Sequence, residues 1–146
     1  MGTIVSLNVS RKKGVNKKPV QSVQVRVDHG IEGDAHAGDW HRQISLLAEE
    51  SIDCMRARGL ELAAGAFAEN ITTRGIDLPR LPIGTRLVCG EVELEVTQIG
   101  KKCHKGCAIF QQVGDCIMPR EGIFTKVIRP GRLQPGGTIR IIEGEN

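Results

Sequence analysis

The sequence predicts a mainly β protein, an antiparallel β-barrel with one or a few short helices. Three observations predict it: apolar runs alternate with polar residues at a period of two, 18 glycines punctuate those runs at turn-like spacing, and only one segment carries the marks of a helix. Closure is favoured because many short strands in an open sheet would leave edges unpaired. No repeat, linker or low-complexity tract divides the 146 residues, which fit a single domain, 1–146, able to hold its own core without disulfides or metal.

The elements follow in order. A first strand is expected at Thr3–Val9. A basic run, Arg11-Lys12-Lys13-Gly14-Val15-Asn16-Lys17-Lys18, holds five cations in eight residues and localises most of the formal charge of +3; it reads as a solvated loop or as one that faces an anion. Val23, Val25 and Val27 alternate with Gln24 and Arg26 as a half-buried strand. Further strands are expected at Gln43–Leu47, Glu69–Thr73 and Ile123–Ile128. The helix is placed at about Ala48–Arg58, with Glu49 and Glu50 in its first turn, Arg56 and Arg58 in its last and Gly59 at the stop, so that Ile52 and Met55 face the core. Gly90-Glu91 between Arg86–Cys89 and Val92–Ile99 reads as a hairpin, and Gln134-Pro135-Gly136-Gly137 as a turn into a last strand, Thr138–Ile142.

Two stretches carry chemistry. Gly100-Lys101-Lys102-Cys103-His104-Lys105-Gly106-Cys107 sets two thiols, an imidazole and three ammonium groups at the end of a strand. Positive charge beside a thiol favours the thiolate, the form that attacks, carries sulfur or binds metal. The Cys103–Cys107 spacing does not match the thioredoxin motif. Cys103, His104, Cys107 and Cys116 offer zinc-ligand types, although the customary short spacing occurs once instead of twice. Cys54 on the helix and Cys89 in a strand read as small buried hydrophobes. The second stretch runs from Gly30 to Gln43 and carries Asp34, His36, His41 and Arg42. Its glycines allow close backbone approach to a ligand and Arg42 offers a fork suited to phosphate or carboxylate, while a solvated connection with turn hydrogen bonds is the alternative. Glu69 and Asn70 place an acid and an amide at a strand start, which alone would be no more than a turn.

Five cysteines, no charged-then-apolar leader after Met1 and no apolar run of membrane-spanning length predict a cytoplasmic protein with reduced thiols and no membrane partner. Tyrosine is absent and aromatics are scarce, so the stacking platforms that serve single-stranded nucleic acid are poorly supplied.

Taken in order, the Gly-Asp-Ala-His loop leading to His41-Arg42-Gln43, then Phe67-Ala68-Glu69-Asn70-Ile71-Thr72-Thr73, Leu81-Pro82-Ile83-Gly84 and the Lys-Lys-Cys-His segment make the chain resemble a stand-alone MOSC domain, the domain named for the C-terminus of molybdenum cofactor sulfurases. The resemblance spans Thr3 to the final strand. It implies a barrel of the pyruvate-kinase type, an association with the molybdenum cofactor (molybdopterin), and one cysteine acting as sulfur carrier or as thiolate facing molybdenum. Cys107, followed by Ala108-Ile109-Phe110, is the first choice for that cysteine and Cys103 the reserve. By the same analogy His36, His41, Arg42, Glu69, Asn70, Lys101 and Lys102 would line a cofactor pocket. The sulfurases' pyridoxal-phosphate desulfurase portion has no counterpart in these residues, so no pyridoxal phosphate is expected, and a separate cysteine desulfurase or a molybdoenzyme would be the partner. Sulfur transfer in molybdenum cofactor metabolism is the activity so implied. A non-catalytic module that binds and delivers the cofactor, and a zinc-stabilised nucleic-acid-binding barrel, are the alternatives.

Overall fold

The computed structural model describes residues 2–12, 17–57, 59, 64–65, 67–100 and 122–142. Its centre is a closed ring of seven strands. These are β1 (Gly2–Val9), β5 (Ile44–Ala48), β6 (Ile71–Arg74), β7 (Arg86–Cys89), β8 (Val92–Ile99), β9 (Ile123–Arg129) and β11 (Thr138–Ile142). They follow one another in the order β11, β7, β8, β9, β5, β6, β1, and the β1–β11 pairing closes the circuit. Gly2 pairs with Ile139 and Thr3 with Thr138 at that seam. The expected 134–137 turn reinforces it: Gly136 N–H donates to the Ile4 carbonyl at 2.7 Å and Ile4 N–H to the Gly137 carbonyl at 2.8 Å.

Three short strands lie outside the sequence expectation. β2 (Lys18–Val20) extends the sheet beyond β1, and β4 (Gly30–Ile31) and β10 (Gly131–Leu133) flank β3 (Val23–Arg26) in a separate three-stranded sheet set against β8 and β9. None exceeds three residues, too few for a period to be legible. Val23, Val25, Ile31 and Leu133 from this sheet join Ile4, Leu7, Ile44, Leu46, Ile71, Leu87, Leu94, Val96, Ile123 and Ile139 in one core.

The barrel is mixed, not wholly antiparallel as expected. β5 and β6 run parallel, with Leu46 opposite Ile71, Leu47 opposite Thr72 and Ala48 opposite Thr73. A parallel pair needs a crossover, and α1 (Glu49–Arg56) lies within it, packed on both strands. Both faces of β5 are therefore covered, which is why all five of its residues are buried and why its sequence runs apolar instead of alternating. Ile52 and Met55 are buried on the helix as expected, whereas Cys54, read as a buried hydrophobe, is exposed. It occupies a helical position between those two core residues and so turns away from the sheet. Arg74 at the end of β6 fastens the helix through Glu49 at 2.5 Å and Asp53 at 2.9 Å. Cys89 is buried in β7, and burial pushes its thiol up to about 11, as befits a small hydrophobe. No helix among the described residues is long and apolar enough to cross a membrane.

A barrel whose core is one cluster should be sensitive to any cavity within it. Leu94→Ala, at a fully buried position, is expected to lower stability by about 2–5 kcal/mol. Ile83→Ala, at a side chain 66% exposed, should stay within about 0.5 kcal/mol of wild type. Urea unfolding midpoints check both.

Candidate functional site

The Gly30–Gln43 loop is built on a buried ion pair that the sequence did not suggest. Lys17 Nζ lies 2.7 Å from Asp34 Oδ1, and neither side chain is accessible to solvent. The same ammonium reaches Ser10 Oγ at 3.2 Å and His36 Nδ1 at 2.9 Å. Asp34 also accepts from the backbone N–H of Ser10 and of His36. Lys17, expected in a solvated or anion-facing run, is thus an internal strut, and its position among other lysines gave no sign of it. Burial by itself raises the Asp34 pKa, but the hydrogen bond and charge of Lys17, with the Ser10 N–H, outweigh that cost and hold the carboxyl below its usual value. Because an ammonium can only donate, His36 Nδ1 is its acceptor, and the ring proton is assigned to Nε2.

From this strut the loop passes to a second anchor. Trp40 Nε1 donates to the His36 carbonyl at 2.9 Å. His41 Nε2 and Arg42 Nε each lie 2.9 Å from Gln98 Oε1, and Gln98 Nε2 donates to the Gly100 carbonyl at 2.6 Å. The Thr97 hydroxyl is within hydrogen-bond reach of the His41 and Phe124 carbonyls. The Arg42 guanidinium stands 5.3 Å from the Phe124 ring centroid and 5.9 Å from that of Trp40. Gly100 N–H donates to the Gly122 carbonyl at 2.6 Å. His41 and Arg42 are therefore fixed beside Gly100 and Gly122, the described residues that flank 101–121. Gln98, the residue that joins them, was not among the expected site residues. The break in the β8–β9 register between Val96 and Gln98 frees it for this task, and a bulge of this kind leaves no mark in a period-two pattern.

Glu69 and Asn70 are fully or almost fully buried and serve a network at the ends of β1 and β6. Glu69 accepts from Gly65 N–H at 3.0 Å, Phe67 N–H at 3.2 Å and Thr72 Oγ1 at 2.8 Å. Burial raises its pKa, and these neutral donors offset that only in part. Asn70 Oδ1 accepts from Ser45 N–H and Asn70 Nδ2 donates to the Asn8 carbonyl. Asn8 in turn donates to the Glu69 carbonyl and to Thr72 Oγ1. The network meets the ion pair through the backbone, since Lys17 N–H donates to the Gly65 carbonyl at 3.0 Å.

Lys101, Lys102, Cys103 and Cys107, together with the zinc-ligand candidates His104 and Cys116, lie outside the described residues. Among the described residues no three of His, Cys, Asp and Glu gather as a metal site. What the described site offers is a rim of His41, Arg42 and Trp40, with Arg42 making no ion pair among the described residues.

A family profile described as MOSC domain matches residues 32–140. Among solved structures, YuaD from Bacillus subtilis superposes with a TM-score of 0.80 at 20% identity over 99% of this chain and 98% of its own. YiiM from Geobacillus stearothermophilus gives 0.76 at 26% identity over 98% and 76%. YiiM from Escherichia coli gives 0.68 at 21% identity over 97% and 70%. Among curated protein sequences no significant match was found.

Two measurements probe the scaffold of the site. At Gly65, with φ +88°, an added Cβ would come within 2.1 Å of the Lys17 carbonyl oxygen, whereas at Gly33, φ +82°, it would meet nothing. Gly33→Ala is expected to cost about 1–2 kcal/mol for the left-handed backbone alone, and Gly65→Ala clearly more, read from unfolding midpoints. For Asp34, whose folded pKa lies below its unfolded one, the stabilisation is present above the unfolded pKa near 3.8 and is lost as pH falls through the folded value. Asp34→Asn is expected to cost about 3–5 kcal/mol at neutral pH. That gap from wild type should narrow progressively as urea titrations are taken below pH 4.

Proposed function

The chain belongs to the MOSC domain family, and from that premise we propose that it binds the molybdenum cofactor at the His41–Arg42–Gln98 anchor and handles sulfur through a cysteine of the neighbouring Cys103–Cys107 segment. The observation that carries this reading is the fixing of Arg42 beside Gly100 and Gly122, the two residues from which the thiol-bearing segment departs. Cys103 follows Gly100 by three residues, so covalent geometry alone keeps it within about 11 Å of that anchor. An anionic ligand held at the rim is thereby within chain reach of Cys103, while Cys107, four residues further on, stays within about 25 Å of the same anchor.

The rim suits such a cofactor in its donor chemistry. Arg42 has Nε engaged by a neutral amide and forms no carboxylate pair among the described residues, so its terminal N–H groups suit a phosphate. Trp40, 38% exposed, offers an aromatic face beside it for a flat heterocycle. Lys101 and Lys102 would add charge that attracts the anion and favours the thiolate of Cys107 or Cys103. When bound, the cofactor supplies a soft metal centre that accepts sulfur ligands. His36 has Nδ1 committed to Lys17, and Glu69 and Asn70 hold the loop's footing from within.

Loading the carrier with sulfur balances without an added oxidant. The Cys107 thiolate attacks the terminal sulfur of a persulfide on a partner cysteine desulfurase; a new S–S bond forms, the donor's S–S bond breaks, and the donor cysteine leaves as thiolate. Incubation with a cysteine desulfurase and free cysteine, followed by mass spectrometry, is expected to show one added sulfur on Cys107. Cys107→Ala should lose it while retaining the barrel's circular dichroism. Sulfur on Cys103 alone would move the role to that residue. No added sulfur on either thiol, with cofactor binding intact in the double alanine variant, would overturn the carrier reading in favour of a binding and delivery module.

A further inference from the structure

A groove of about 720 Å³ opens where the Gly90 hairpin, β10 and the 134–137 turn meet. It shares no lining residue with the Gly30–Gln43 loop or with Gln98 and Gly100. Gln98 lies six residues along β8 from Val92, the first strand residue after the Gly90 hairpin, a span of about 20 Å. The groove is thus a separate place on the barrel.

Its lining divides by chemistry. Ile4, Leu133 and Cys89, all buried, supply an apolar floor. The Cys89 thiol remains protonated there, since burial pushes it up to about 11, so the floor bears no charge. Arg132 and Arg140 stand above it on β10 and β11, the two strands that the 134–137 turn connects. Both are exposed. No carboxylate is among the lining residues. Arg132 donates to the Ser22 hydroxyl at 3.1 Å, and neither guanidinium forms an ion pair among the described residues. Several other arginines do have acidic partners: Arg86 and Arg129 meet Glu93 and Arg74 meets Glu49 and Asp53 on the barrel wall, and Arg26 on β3 meets Glu32. Among the described residues, this groove gathers two guanidinium groups that have no carboxylate partner.

We propose that this groove binds a phosphate monoester, with Arg132 and Arg140 on the phosphate and the apolar body of the ester lying toward Ile4 and Leu133. Two guanidinium groups match the charge of a dianionic phosphate and offer planar forks of donors to its oxygens. The groove is much larger than inorganic phosphate requires, and its floor returns free energy only for an ester that carries apolar surface. The turn residues hold the site in shape independently of any ligand, because Gly136 and Gly137 are bonded to Ile4 and Gln134 through their backbones. This inference does not depend on the cofactor reading, which concerns a different face.

Phenyl phosphate is the probe, with inorganic phosphate and phenol as its two halves, titrated into the whole chain and followed by amide chemical shifts. The expected result is saturable shifts at Cys89, Gly90, Leu133 and Arg140, with phenyl phosphate tighter than either half and weakened by added salt. Loss of a charge-assisted contact in Arg140→Ala or Arg132→Ala should weaken phenyl phosphate about tenfold. Because both side chains are exposed, the variants should keep wild-type unfolding midpoints, which separates a lost contact from a lost fold. Equal affinity of both variants and wild type, inorganic phosphate binding as tightly as the ester, or shifts confined to residues 36–42 would each overturn the proposal. The last outcome would place phosphate recognition at Arg42 and leave the cofactor reading standing.

Discussion

The loop that carries the candidate site depends on one charge pair that water cannot reach. Burying a lysine and an aspartate costs several kcal/mol per ion in lost hydration, and attraction alone recovers this only when the remaining donors and acceptors are also satisfied. Lys17 meets that condition with Asp34, Ser10 and His36 around one nitrogen, and Asp34 with Lys17, Ser10 N–H and His36 N–H around its oxygens. Removing either partner strands the other charge inside the protein. A loop rich in glycine would otherwise sample many conformations at little enthalpic cost; here its middle is tied to the chain segment that follows β1.

Glu69 solves a neighbouring problem by other means. It is as deeply buried as Asp34, yet its oxygens meet two backbone N–H groups and a hydroxyl and, among the described residues, no cation. Neutral donors stabilise a carboxylate less than an ammonium does, so the two acids shift in opposite directions within one continuous network. The contrast follows from geometry. Asp34 sits on a loop that must be gripped from outside by another segment, while Glu69 folds the 65–72 turn back upon itself and needs only the donors of that turn.

The parts of this architecture that repeat were legible in the sequence, and the parts that depend on one distant meeting were not. Alternation at Val92–Ile99 and the glycines at 90 and 136 mark a hairpin and a seam because each is a local rule. The helix ends were legible through Glu49, Glu50 and Arg56. The direction of β6 was not, since nothing within Ile71–Arg74 records whether its partner runs with or against it. Lys17 resembled its basic neighbours until the fold put Asp34 beside it, and Gln98 resembled an outward strand residue until a bulge turned it toward His41 and Arg42. The family motifs brought His36, His41 and Arg42 to notice as a group. The structure divides them, with His36 committed at one nitrogen to the buried lysine and His41 and Arg42 to the half-buried amide of Gln98.

That division bears on how a barrel of this kind holds the residues on either side of the 101–121 segment. The wall supplies rigidity, because each strand of the ring has a neighbour on both sides and the core is one cluster. The loop from Asp34 to Arg42 crosses from the end of β1 to the outer side of β8 and β9, and is fastened at both limits by side-chain hydrogen bonds. Between those limits it presents Trp40, His41 and Arg42 with their backbone already ordered, so that a ligand need immobilise few further groups. Gln98 is the residue on which the arrangement turns. Its carbonyl oxygen orients His41 and Arg42 while its amide nitrogen holds the Gly100 carbonyl, so one side chain sets the rim and the root of the 101–121 segment against each other. A neutral amide can do both, whereas a carboxylate at that position would neutralise Arg42 and forfeit the donor to Gly100.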